Sequence, residues 1–145
     1  MIASKDGRSL LVFVSHSGED TWVARQMALG IKSKDATAFL DEADVDVGSE
    51  FEEALLTFLD SAHELVVLIT PWSLKRPYVW VEIGAAWIRR IPIVVVLYGL
   101  TVSDFQSQPQ APVFLKKRDI ISLNDFDLYL EQLGARVAAR GNPNG

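Results

Sequence analysis

Cysteine is absent from the 145 residues, so neither disulfides nor thiolate chemistry can contribute. That leaves the compartment open and agrees with an expected cytoplasmic location. Long hydrophobic runs are missing too, and none could span a bilayer. The start, Met1-Ile2-Ala3-Ser4-Lys5-Asp6-Gly7-Arg8, lacks the architecture of a signal peptide. We therefore expect a soluble chain with no membrane partner. Basic charge is in short supply: 14 Lys and Arg face 19 Asp and Glu, a net charge of -5. A nucleic-acid module needs a basic face, so no nucleic-acid partner is expected. The small basic clusters at 75–76, 89–90 and 116–118 read as solvated surface or as groups that meet anionic phosphates. Gly-x-Gly-x-x-Gly, Walker A and His-Glu-x-x-His are all absent. Asp41, Glu42, Asp44 and Asp46 miss the EF-hand spacing and read as solvated loop carboxylates, so neither a metal nor a resident cofactor is expected.

The length fits one domain, and 49% hydrophobic with 23% charged residues is ordinary for a globule. Leu10-Leu11-Val12-Phe13-Val14, Leu65-Val66-Val67-Leu68-Ile69 and Ile91-Pro92-Ile93-Val94-Val95-Val96-Leu97-Tyr98 are short and β-branched without alternation. Strands buried on both faces read this way. Weaker strand candidates lie at 36–41 and 119–123, with helical patterns near 20–33, 49–62, 77–90 and 126–140 and a short helix near 102–106. Ser49 with Glu52 has capping-box spacing, and Ser17 with Asp20 shows the related Ser-x-x-Asp pattern. Strands alternating with helices predict an α/β fold: a flavodoxin-like, doubly wound, five-stranded parallel sheet with helices on both faces. We place an N-terminal arm at 1–8, the domain at 9–137 and a flexible tail at 138–145.

Glu82 is the most informative residue. It is the only charge in Tyr78-Val79-Trp80-Val81-Glu82-Ile83-Gly84-Ala85-Ala86-Trp87. On a helix its neighbours three and four residues away offer no ion pair. Such a carboxylate is neutralised from a distance, hydrogen-bonded from elsewhere, or exposed in a cleft. In open α/β sheets the cleft lies beyond the carboxyl ends of the strands. There the chain presents Ser15-His16-Ser17-Gly18-Glu19-Asp20, the 41–48 loop, Thr70-Pro71-Trp72-Ser73-Leu74-Lys75-Arg76-Pro77 and Gly99-Leu100-Thr101. His16 reads as a loop histidine or an acid–base group, Trp72 as core or a stacking surface, and His63 as structural. A response-regulator receiver shares the architecture, but needs acidic residues where Ser15-His16 and Thr70 stand.

Taken together, these segments resemble the Toll/interleukin-1 receptor (TIR) domain in its bacterial form. The stretch from Leu11 to Asp20 resembles the family's first box. Phe39-Leu40-Asp41-Glu42 followed by Val47-Gly48-Ser49-Glu50-Phe51 resembles its second strand, BB loop and second helix. Val67 to Leu74 running into Tyr78 to Ala86 resembles its Ser-…-Trp-x-x-x-Glu motif. Where the family usually has Trp four residues before the glutamate, this chain has Tyr78, and Trp80 lies two residues later.

Many bacterial members cleave NAD between nicotinamide and ribose with the glutamate that Glu82 matches. The resemblance thus implies an NAD glycohydrolase or cyclase, with NAD as substrate and Glu82 as catalytic residue. Ser15, His16, Asp41, Glu42, Thr70, Trp72, Ser73 and Tyr78 are the implied substrate-binding set. It also implies self-association into dimers or filaments through the BB loop. As in Thoeris-type anti-phage signalling, a separate effector would answer the product. A non-enzymatic interaction module and a nucleoside deoxyribosyltransferase-like enzyme are the competing readings.

Overall fold

The computed structural model describes residues 9–40, 59–109, 111, 115 and 119–141. The Ser49–Glu52 capping box, the loop carboxylates Asp41 and Glu42, and the BB loop fall outside the described residues, as does the side chain of Tyr78. The elements are β1 (Leu11–Ser15), α1 (Thr21–Lys32), β2 (Thr37–Leu40), β3 (Glu64–Ile69), α2 (Pro77–Ile88), β4 (Ile93–Leu97), α3 (Val102–Gln106), β5 (Ile120–Ser122) and α4 (Phe126–Gly141). Residues 59–61 are also helical.

All four strand pairings are parallel, and the order is β2-β1-β3-β4-β5. This is the flavodoxin-like sheet expected from the apolar runs. β1 and β3 are buried at every position, as unbroken β-branched strands covered on both faces must be. Side-chain alternation sorts the core into two layers. Phe13, Leu65, Val67, Ile69, Val95 and Leu97 pack against Val79, Ile83 and Ala86 of α2. Val12, Val14, Val66, Leu68 and Val96 pack against Ala24, Met27 and Ile31 of α1 and Phe126, Tyr129 and Leu133 of α4.

Element ends follow local chemistry. α2 opens with Pro77 in its first turn, where a missing N–H costs nothing. It closes with Arg90 at φ 59, and Ile91 N–H then donates to Ala86 O at 2.9 Å. Pro92 cannot join a sheet ladder as donor, so β4 begins at Ile93, two residues later than the run of apolar residues suggests. α4 continues to Gly141, beyond the domain end expected at 137.

At the amino edge of the sheet, Glu64 opens β3 with only 6% of its surface exposed. A strand-buried carboxylate needs donors, and α4 supplies them. Tyr129 Oη donates to Glu64 Oε1 at 2.8 Å. Arg136 donates from Nε to Oε2 at 2.7 Å and from Nη2 to Oε1 at 2.8 Å. This bidentate pairing is the strong geometry for guanidinium and carboxylate. Burial, and then the adjacent Glu64 charge, push the Tyr129 hydroxyl well above its ordinary 10.0. The sign for stability follows from linkage. Above pH 10 the unfolded chain releases this proton and the folded chain keeps it, so stability falls as pH rises. Chemical denaturation from pH 9 to 11.5 should show Tyr129→Phe lacking a component of about 1.4 kcal/mol per pH unit that wild type displays. Equal alkaline slopes for the two proteins would contradict the burial of that hydroxyl.

Candidate functional site at the carboxyl edge

From β1 the chain crosses to β2 on one side and, later, to β3 on the other. The strand order therefore reverses at β1, and the crevice beyond β1 and β3 is where ligands bind in such sheets. The two loops bordering this crevice are tied together. Ser17 Oγ donates to Asp20 Oδ2 at 2.6 Å, and Thr70 Oγ1 donates to the same oxygen at 2.6 Å. Thr70 N–H donates to Ser73 Oγ at 2.6 Å, and that hydroxyl donates to Thr70 O at 3.1 Å. Ser73 N–H returns a bond to Thr70 Oγ1 at 3.3 Å. Ser17, Asp20, Thr70 and Ser73 are all buried. On the surface, Arg76 meets Glu19 at 2.7 Å across the same two loops.

The Ser17–Asp20 spacing thus has a role other than capping. Ser17 is extended, as an N-cap residue is, but its side chain makes no cap hydrogen bond. Gly18–Asp20 form a single 3-10 turn, and α1 starts after it with Asp20 at the N-cap position, again without a side-chain cap. The carboxylate is turned toward β3 instead.

Glu82 sits in the middle of the stripe that α2 turns to the sheet, between Val79, Ile83 and Ala86, and is 3% exposed. It does not point into water, and it engages a partner within the chain. Ser15 ends β1 in phase with Phe13, and Phe13 packs in the α2 layer. Strand alternation puts the Ser15 side chain in that layer as well. Ser15 Oγ is fully buried and has no hydrogen-bond partner among the described residues. Beside it, His16 is half-buried and donates Nδ1–H to Ser17 O at 2.8 Å. In the neutral ring this leaves Nε2 as a bare acceptor, buried and without a hydrogen-bond partner among the described residues. Unsatisfied buried polar atoms are rare, and two adjacent ones mark this edge as different from the other.

Trp72 projects from the loop after β3, 56% exposed. Trp80 instead packs inward on Phe105 of α3, with ring centroids 5.6 Å apart. The loop after β4 closes the rim. Gly99 has φ +81, which favours glycine, and a Cβ there would crowd Pro71 Cδ at 3.2 Å. Among the predicted site residues, Ser15 and Glu82 share one layer, His16 and Trp72 flank the edge, and the Thr70 and Ser73 hydroxyls are engaged within the protein. Asp20 lies on the edge expected from the sequence, but its bridging role is not legible there. Its Ser-x-x-Asp spacing was visible, but the partner that gives it meaning lies 50 residues away. Among the described residues no cluster of His, Asp and Glu could hold a metal ion, and no helix is long and apolar enough to cross a membrane.

The sequence model of the family described as "TIR domain" matches residues 12–134. The chain belongs to the TIR domain family. Solved structures agree on the fold. The TIR domain of a Toll-related receptor from Hydra magnipapillata superposes with a TM-score of 0.64 at 17% identity, covering 88% of this chain and 97% of that one. The TIR domains of an activated resistosome that directly recognises a pathogen effector give 0.57 at 19% identity, covering 90% and 84%. A metazoan TIR-STING receptor from C. gigas gives 0.63 at 17% identity; 94% of this chain aligns with 43% of that receptor. No curated protein sequence matches. In this TIR domain the Leu11-to-Asp20 and Val67-to-Ala86 stretches that carried the resemblance fall on β1 and β3, the loops after them and α2, at the strand-order reversal, while the Phe39-to-Phe51 stretch begins in β2 and lies outside the described residues from Asp41 on.

Gly99→Ala should destabilise the domain by at least about 1 kcal/mol, from the positive φ and the contact with Pro71 together. Thermal unfolding would check this; an unchanged midpoint would mean the loop after β4 does not hold Pro71 as described.

Proposed function

We propose that this TIR domain cleaves NAD at the bond between nicotinamide and ribose, with Glu82 as the catalytic residue. The observation that carries the reading is a carboxylate at 3% exposure in the middle of an apolar helix stripe. Burying such a group is costly unless it is paired or hydrogen-bonded, and ionisable residues held in clefts are enriched in function. Family membership supports the same chemistry.

In the reaction, the C1′–N bond breaks and its electron pair leaves with nicotinamide, cancelling the pyridinium charge. No strong acid is required. Positive charge develops on the ribose, and the Glu82 carboxylate offsets it and holds the ribose hydroxyls. Ser15 Oγ and His16 Nε2 are hydrogen-bonding groups for the substrate, and Trp72 is a stacking surface for a base. Water attacking C1′ gives ADP-ribose and a proton; attack by an adenosine hydroxyl or ring nitrogen gives a cyclic isomer. Asp41, Glu42 and Tyr78 remain in the proposed substrate-binding set, as Thr70 and Ser73 do through the loop geometry they maintain. We place the enzyme in the bacterial cytoplasm, in anti-phage signalling, with its product read by a separate effector.

A second reading, an interaction module, draws support from exposed apolar side chains. Trp22 and Leu29 on α1 are 69% and 58% exposed, and Val81 and Ile88 on α2 are 57% and 74% exposed. Residues of this kind suit assembly surfaces, and assembly through the BB loop is compatible with catalysis. Concentrated protein incubated with NAD should release nicotinamide, as chromatography would record. Glu82→Gln should lower that rate by at least about a hundredfold with the fold intact. An inert wild type, even when crowded, would leave only the interaction module; a Gln variant as active as wild type would remove Glu82 from the reaction.

A further inference from the structure

We infer that Asp20 is a positioning residue for the crevice: it clips the loop after β1 to the loop after β3 and so fixes both Trp72 and the start of the helix that carries Glu82. The kinetic part of this inference rests on the NAD-cleavage reading above; the geometric part does not.

Asp20 occupies the N-cap position of α1, where an aspartate ordinarily accepts backbone N–H bonds of the first turn. It makes no such bond. Its Oδ2 instead accepts two hydroxyl donors, one from each loop, both at 2.6 Å. The short distances fit charge-assisted hydrogen bonds. A buried carboxylate diverted from capping to bridge loops 50 residues apart is doing something that helix stability does not call for.

What lies downstream of Thr70 explains it. Thr70 and Ser73 exchange three hydrogen bonds, which fold residues 70–73 into a fixed turn. Pro71 and Trp72 ride on that turn. The 3-10 segment Ser73–Lys75 follows, Arg76 reaches back to Glu19, and Pro77 begins α2. Glu82 is carried from there by rigid helix. On the other side, the Ser17 carbonyl that the same loop presents is the acceptor for His16 Nδ1–H. The Asp20–Thr70 bond is thus the buried link that sets the width of the crevice between His16 on one wall and Trp72 on the other. The Glu19–Arg76 pair spans the same gap but is exposed, and pairs of that kind contribute little.

The variants separate positioning from bulk stability. Thr70→Val keeps the shape and deletes the hydroxyl, which removes the bond to Asp20 and the 3.3 Å bond from Ser73 N–H together; Asp20→Ala removes the bridging acceptor alone and should change kcat/KM and the Trp72 signal in the same direction. Thr70→Ser keeps the donor. Asp20→Asn keeps an acceptor for both hydroxyls, because both donate to a single oxygen. Thr70→Val should lower kcat/KM for NAD by about tenfold or more, through a fall in kcat and a rise in KM together, since misplacing reacting groups by about 1 Å is enough for such losses. Thr70→Ser should stay within about threefold of wild type, as conserved hydrogen bonds imply. Asp20→Asn, which keeps the acceptor and loses the charge, should fall between wild type and Thr70→Val. A lower melting temperature in Thr70→Val with unchanged kcat/KM at a temperature where it is folded would overturn the inference. The second readout needs no turnover. With 5-fluorotryptophan incorporated and the Trp72 signal assigned through Trp72→Phe, the fluorine resonance of Trp72 should shift or broaden in Thr70→Val and match wild type in Thr70→Ser. An unmoved resonance in Thr70→Val overturns the clip even if NAD is cleaved. A moved resonance in a wild-type background that cleaves no NAD sustains the clip and defeats only the proposed reaction.

Discussion

Complete burial of β1 and β3 on both faces is the constraint from which the remaining organisation follows. Strands without a solvent face tolerate almost no polar side chain along their length. The polar chemistry of the sheet is therefore driven to its two edges, where strands enter and leave. Glu64 stands at the entry of β3, and Ser15 and Thr70 stand at the exits of β1 and β3. What each edge does with its polar groups distinguishes a structural edge from a working one.

At the amino edge a cavity of about 450 Å³ is present, but the buried carboxylate that lines it is satisfied within the protein. Glu64 receives three hydrogen bonds from Tyr129 and Arg136, and the guanidinium also lies 5.6 Å above the Tyr129 ring. Charge, donors and aromatic face are matched there, and the effect is to lock α4 to the sheet. The carboxyl edge is different. Asp20 is satisfied, yet Ser15 Oγ and His16 Nε2 are buried without hydrogen-bond partners among the described residues, and a second carboxylate, Glu82, is submerged in the α2 stripe, where it engages a partner. Leaving buried polar atoms without hydrogen bonds lowers stability by about 1–3 kcal/mol each. Natural domains tolerate such costs mostly where a ligand supplies the missing partner.

The fold was legible because its signal is local. Unalternating β-branched runs mark doubly covered strands, and their alternation with 3.6-period segments marks a parallel sheet. Boundaries slipped where backbone chemistry overrode apolarity, as at Pro92, which ends the loop rather than opening the strand. The site was legible in part. Glu82 could be singled out from its own segment, because the absence of any charge three or four residues away is a local fact. Ser15 and His16 could be placed by topology alone. Asp20 could be placed on the same edge, but its role could not be read, because that role depends on Thr70 across the crevice and on the direction in which Ser17 donates. In a capping box the serine oxygen accepts from the backbone; here the serine hydroxyl donates to the carboxylate. One spacing serves both arrangements, and only the tertiary partner decides between them.

That ambiguity bears on how such edges are built. A Ser-x-x-Asp pair at the start of α1 has two uses for one carboxylate: stabilise the first turn of the helix, or reach across to the next strand of the sheet. Capping contributes about 1 kcal/mol to a helix, and α1 already buries Ala24, Met27, Ala28 and Ile31, so its stability does not depend on the cap. The crevice has no comparable apolar support, because its walls are loops. A buried, charge-assisted hydrogen bond is the strongest short-range tie available to two loops that cannot pack a core between them. On this argument the carboxylate goes where hydrophobic burial cannot, and the helix does without it.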